Sequence, residues 1–328
     1  MGAMKALERK LAAIAAGSYT PEHFVLADAK DADMALGVQA PGPLPGSPGR
    51  FRTRPEYLQA MVDEVRAGAV DVLLTSASNG ERLVRDRVLH ASEVTLAVRA
   101  NDTTDIWNPR GGGYSSRPSR PFRTANLERV REICSLVLYS VTFNNDLDHD
   151  LATLERYAAF RAEAQDVGMR HFLEVFNPNA PMDLVPGDVG AFVNDHIIRL
   201  LAGVTQAERP LFLKMAYNGP EAMNELVTHD PSLVVGVLGG SAGTTRDTFE
   251  LLAQAERHGA RVALFGRKVQ RAESQLDLLA SMRAVLLRQV SPEEAVAAYH
   301  EVLASKGITP ARTLEEDQAI TEPVLAGG

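Results

Sequence analysis

Eight short apolar runs, most separated by a stretch that suits a helix, constrain this chain more than any other feature. They lie at 24–29 (FVLADA), 70–75 (VDVLLT), 94–99 (VTLAVR), 136–142 (LVLYSVT), 171–176 (HFLEVF), 210–215 (PLFLKM), 233–238 (LVVGVL) and 261–265 (RVALF). Each is nearly continuous in apolar residues and rich in Val, Leu and Phe, as parallel strands covered on both faces require. Helical patterns fall between them. One spans 54–67 after Thr53, a plausible N-cap, with Pro55 in its first turn. Others span 148–167, 189–202 and 245–258 and stop on Gly168, Gly203 and Gly259. This alternation predicts a single-domain (β/α)8 TIM barrel over 1–328, with a doubly wound open sheet as its main rival. The acidic tail, roughly 312–328, reads as loosely ordered.

Two of the connections are long and follow the ends of the first and third runs. Segment 31–52 is dense in Pro and Gly, and 100–123 carries Arg110, Arg117, Arg120 and Arg123. Loops of this length are commonly lids over a site. The arginines could close over an anionic substrate, or the loop could be solvated or an oligomer contact. A formal charge of −8 argues against a general nucleic-acid binder. No apolar run reaches the length of a membrane span. A single cysteine, Cys134, and no apolar signal-peptide core near the N-terminus set the expectation of a soluble, cytoplasmic protein. Apolar helix faces would suit a homo-oligomer.

In a barrel of this kind the informative positions are the last residues of each strand. Lys214 ends the sixth run and is the one lysine of six inside an apolar run. A lysine in a desolvated pocket loses part of its preference for the charged form. Its neutral amine can attack a carbonyl and form an imine, the electron sink for carbon–carbon cleavage beside a ketone. Lys214 could equally be a paired core lysine or a phosphate clamp. Glu174 is a lone carboxylate on an apolar run, either a partner for Lys214 or a proton shuttle. Asp28 faces the same choice, with Lys30 near enough to pair with it. Gly239, Gly240 and Gly243 follow the seventh run, and Gly266 and Arg267 follow the eighth. Two such turns at these successive strands suggest a phosphate site. The eight histidines show no metal-ligand pairing at short spacing.

The segment from 211 to 269, "LFLKMAYNG … LVVGVLGGSAGTTRDTFELLAQAERHGARVALFGRKV", resembles the class I (Schiff-base) aldolases of the tagatose-1,6-bisphosphate and sulfofructose-phosphate group. "FLEVF" and "VLADAK" are similar to that family's fifth and first strands. The match spans roughly 171–268. The resemblance implies a (β/α)8 fold and aldol cleavage of a phosphorylated ketose through an imine on Lys214, with no cofactor or metal. It implies proton transfer by Glu174, with Tyr139 or Asp28 as alternates. It further implies phosphate binding by Ser241, Gly243 and Arg267; Gly240 and Gly266 of the two turns, with Arg99 and Lys30, are further candidate anion contacts on the chain's own residues. The chain departs from the family at Asp28-Ala29-Lys30, near Leu138 and Tyr139 where a lysine is expected, and at Met215-Ala216. The substrate contacts are therefore expected to differ. A transaldolase or decarboxylase, a barrel isomerase or epimerase, and a non-catalytic sugar-phosphate sensor are the alternatives.

Overall fold

The computed structural model describes residues 4–44, 47, 49–181, 189–239 and 243–326. Eight parallel strands close into a barrel: β1 (Val25–Lys30), β2 (Val72–Thr75), β3 (Thr95–Arg99), β4 (Leu136–Thr142), β5 (Arg170–Phe176), β6 (Leu213–Met215), β7 (Gly236–Leu238) and β8 (Val262–Phe265). Neighbours in the barrel are neighbours in sequence, and β8 returns to β1 with Val25 opposite Val262 and Asp28 opposite Phe265. That last pairing rules out the open sheet. Each strand ends within a residue of the apolar run expected to form it, while β2, β6 and β7 start two to three residues later than their runs.

Side chains alternate across a strand, so burial pattern fixes which face the barrel axis. Val25, Ala27 and Ala29 of β1 share one buried cluster with Val72, Leu74, Ala97, Leu136, Leu138, Phe172, Phe212, Val262 and Leu264. This cluster fills the interior, and Phe172 and Phe212 stack within it at 4.5 Å between centroids. Leu7 joins it from the helix Ala6–Ala15, an element the sequence pattern does not flag. Lys10 of that helix donates to the Phe24 carbonyl at 2.8 Å and pairs with Asp71 at 2.7 Å, beside the strand starts. The helix thereby closes the N-terminal end. The opposite strand faces, including Leu26, Leu73, Val98, Val137 and Val175, pack under the surrounding helices.

The helix Arg54–Ala67 has the expected bounds. Thr53 and Glu56 form a reciprocal capping box at its start, and Gly68 ends it at φ 59°. Leu147–Asp166, Val189–Ala202 and Thr245–Arg257 agree with expectation to within a residue at each end. Gly259 after the last adopts φ +101°, and a Cβ there would come within 2.8 Å of Val227. Both facts demand glycine. Residues 313–326 dock on this helix: Asp247 accepts from Thr321 N at 2.8 Å, and Gln254 donates to the Leu325 carbonyl at 2.9 Å.

Three expected site residues face away from the axis. Asp28 and Lys30 alternate with the inward Ala27 and Ala29, so they point into the helix layer. There Lys30 Nζ lies 2.6 Å from Asp28 and 2.8 Å from Glu64 of the helix Arg54–Ala67, all three buried. It also donates to Gln275 at 3.0 Å. Burial and the nearby Asp28 push the Glu64 carboxyl up to about 8. Tyr139 also points outward and stacks on Phe160 at 4.3 Å. None of the three lines the barrel-mouth pocket. Lys30→Met is expected to cost about 3–5 kcal/mol of stability, because two buried carboxylates lose their cation. Urea melts of the variant and the wild type check this.

Candidate active site

Strand alternation carries the interior cluster one step further towards the C-terminal end. Two residues beyond Ala97, Leu138, Phe172 and Phe212 stand Arg99, Ser140, Glu174 and Lys214. A polar layer therefore sits directly on the apolar plug. Register brings it together: Ser140 is opposite Glu174, and Glu174 is opposite Lys214. Lys214 forms an ion pair with Glu174 Oε1. Glu174 Oε2 accepts from Ser140 Oγ at 2.7 Å and from Arg99 Nη2 at 3.2 Å. All four residues are buried. Burial pushes the Glu174 carboxyl up, but Lys214 and Arg99 outweigh it and hold it below its ordinary value.

Arg99 is the hub of this layer. Its Nε donates to the Asn101 carbonyl and its Nη1 to Asp31, each at 2.8 Å, and Nη2 also donates to Ser140 at 2.8 Å. Its fork is thus spent inside the protein, which removes it as a free anion contact. Ser140 was missed at the sequence level. The signal was there: it is the small polar residue in phase with the inward Leu136 and Leu138.

Above the layer lies a pocket of about 250 Å³. Lys214, Glu174 and Arg99 form part of its wall, together with Asp31, Asp102, Asp105, Gly266 and Arg267. The carboxylate that the first strand delivers here is Asp31, in phase with Ala27 and Ala29, rather than Asp28. Both long loops contribute. Asp102–Thr103 and Pro121–Phe122 pair as a short antiparallel ribbon, and Trp107 stacks on Tyr114 at 4.5 Å. Asn108 N donates to the Ala35 carbonyl at 2.8 Å, which ties the two loops together. The loop arginines do not reach the pocket. Arg123 pairs with Glu163 at 2.6 Å, Arg120 donates to His149, and Arg110 lies over Phe51. Acidic and apolar loop residues line the mouth instead.

Asp102 is almost wholly buried, and burial pushes its carboxyl up to about 6 against the opposing pull of Arg99. The carboxyl is raised, so the folded state binds its proton more tightly than the unfolded chain does. Its stability penalty is absent below the unfolded value near 4 and fully developed above about 6. Asp102→Asn is therefore expected to be the more stable protein at pH 8, by about 2–3 kcal/mol. The advantage should fade as pH falls through 6 towards 4, which thermal melts across that range would reveal.

The expected phosphate end is partly visible. Gly240 and Ser241 lie outside the described residues. Gly243 has φ +92°, and a Cβ on Gly266 would sit 3.0 Å from the Ala29 carbonyl. Arg267 is exposed at the rim and joins the barrel-mouth pocket to a second cavity of about 410 Å³. That cavity is also lined by Gly243, Lys268, Arg271 and Arg312. Lys268 was missed in the sequence; burial lowers its pKa, and among the described residues it makes no ion pair. The helix start expected to hold an anion already has one. Thr245 N donates to Asp317 of the tail at 2.8 Å, and Thr244 N to Asp247 at 2.8 Å. What remains for a ligand is Gly243, Gly266 and the side chains of Arg267 and Lys268.

No protein-family model and no curated sequence matches this chain. The fold is similar to that of a Schiff-base-forming fructose-1,6-bisphosphate aldolase, at 15% identity and TM-score 0.61, over 85% of this chain and 99% of the other. It is similar to an archaeal fructose-1,6-bisphosphate aldolase whose catalytic lysine is covalently bound to the carbinolamine intermediate, at 16% identity and TM-score 0.61, over 86% and 99%. A Corynebacterium glutamicum structural-genomics target matches at 18% identity and TM-score 0.58, over 87% and 97%. Identities this low speak for the fold alone. What the likeness and the closed strand order together establish is the fold: this chain is a (β/α)8 TIM barrel.

Proposed function

We propose that this protein is a class I, metal-independent aldolase-type aldehyde-lyase that cleaves or forms a carbon–carbon bond of a phosphorylated ketose. The observation that carries the proposal is the position of Lys214: a buried amine at the C-terminal mouth of a closed barrel, on the wall of a pocket, held in place by a buried carboxylate. In its neutral form the amine attacks a ketone carbon. Arg99 and Ser140 keep that carboxylate fixed, so the amine's partner does not swing into the substrate's space. An electron pair released by bond cleavage passes into the protonated imine.

Arg267 and Lys268, with the Gly243 and Gly266 turns, are proposed to hold the phosphate, and Ser241 and Gly240 are proposed to add backbone N–H groups. Phosphate at that end and carbonyl at Lys214 orient the ketose across the mouth. The expected setting is a cytoplasmic protein acting on a small molecule, with a homo-oligomer compatible with the fold. Among the described residues, no helix is long and apolar enough to cross a membrane.

Borohydride reduction in the presence of a panel of ketose phosphates, followed by peptide mass mapping, tests this reading. A reduced adduct on Lys214 is the expected result. Tight ketose-phosphate binding with no adduct would point instead to an isomerase or a sensor.

A further inference from the structure

Imine chemistry needs a proton donor as well as a proton acceptor, and Glu174 is badly placed for donation. Lys214 and Arg99 hold it ionised, and both its oxygens are engaged. Asp102 is its counterpart in the same pocket. It follows β3, and its Oδ1 accepts from Thr103 N at 2.8 Å. Its Oδ2 is buried and has no hydrogen-bond partner among the described residues. Such a group carries a desolvation cost that the fold leaves uncompensated.

We propose that Asp102 is the group that moves protons to and from the substrate, with Glu174 as the fixed counter-ion of Lys214. This rests on the imine reading above. The neutral Lys214 amine adds to the ketone carbon, one N–H proton passes to the ketone oxygen, and a carbinolamine results. Asp102 donates its proton to the departing hydroxyl, the C–O bond breaks, and water and a protonated imine result. The Asp102 carboxylate then takes the proton of the β-hydroxyl. The carbon–carbon bond breaks, its electron pair enters the imine to give an enamine, and the aldehyde leaves. Asp102 is again protonated and can protonate the enamine carbon. Two carboxyls whose surroundings drive their pKa values apart are the arrangement such a division of labour needs. The charged groups around Asp102 are Arg99 of β3, with Nη2 at 3.6 Å, Glu174 of β5 and Asp31 beyond β1. Asp105, Lys214 and Arg267 share the pocket wall.

The test uses dihydroxyacetone phosphate with the full-length protein, in D2O and with borohydride. Asp102→Asn should still give the Lys214 adduct, formed more slowly, while its solvent hydrogen exchange falls by about a hundredfold or more. Wild-type exchange should rise with pH through about 6, and the variant should lack that limb. Asp102→Ala should regain exchange on adding formate, which a merely structural residue would not do. Exchange within about threefold of wild type in D102N, with its limb intact, overturns the role of Asp102 and leaves the imine reading standing. If D102N gives no adduct, D102A decides: restoration by formate supports the role and its failure overturns it. A wild-type protein that yields no adduct at all overturns the imine reading, and this assignment with it.

Discussion

Replacing Lys214 with methionine is expected to abolish the borohydride adduct and to lower turnover on the order of ten-thousandfold or more, the scale seen when a covalent nucleophile is removed. The fold should survive. Glu174 loses one cation but still accepts from Arg99 at 3.2 Å and Ser140 at 2.7 Å. The loss of stability should therefore be about 1–2 kcal/mol, below the usual cost of orphaning a buried charge. Lys214→Arg separates the two roles more sharply. A guanidinium can keep the ion pair with Glu174 but cannot form the imine, so this variant should melt near wild type and give no adduct. If either variant turned over a ketose phosphate at a rate near wild type, Lys214 would be a structural cation and the lyase proposal would go.

Replacing Arg99 with methionine is the second large effect, and it falls on stability. Asp31, Asp102 and Glu174 all lie within 3.6 Å of the Arg99 guanidinium, and all are buried. Lys214 remains for Glu174, whereas Asp31 and Asp102 lose their cation. A cost of about 3–5 kcal/mol is expected. Its pH dependence has a definite sign. Burial already raises the Asp102 carboxyl against the pull of Arg99, so without the guanidinium Asp102 binds its proton still more tightly in the folded state than in the unfolded chain. Stability is then lost as pH rises, so the deficit should be smaller at pH 5 than at pH 8. Urea melts at the two pH values measure it, and an equal deficit at both would mean that Arg99 is not the hub of these carboxylates. Arg99→Lys should recover little, because one ammonium cannot serve Asn101, Asp31, Ser140 and Glu174 at their separate positions.

Much of the architecture was legible in the residues. Apolar runs of strand length, helical patterns between them and glycine stops specify parallel strands buried on both sides, and eight of them close a barrel. Lys214 and Glu174 were legible too, since a charge inside an apolar run has to be accounted for. Phase was harder to read. LVLYSVT offers a tyrosine and a serine side by side, and the tyrosine is the more familiar catalytic type; inward Leu138 puts Ser140, not Tyr139, at the site. VLADAK poses the same choice, and inward Ala27 and Ala29 send Asp28 and Lys30 outward to Glu64.

What the sequence by itself determined is the set of strands, their order and the amine at the mouth, because hydrophobic periodicity and local turn chemistry act over short stretches of chain. Only the tertiary structure decided which polar residues share the interior, because a one-residue change of phase turns a side chain to the other face of the sheet. It also decided that Asp317, some seventy residues on, occupies a helix start that local sequence leaves open to a phosphate. Contacts between distant segments carry no local signature; they exist once closure of the barrel fixes where each strand end stands.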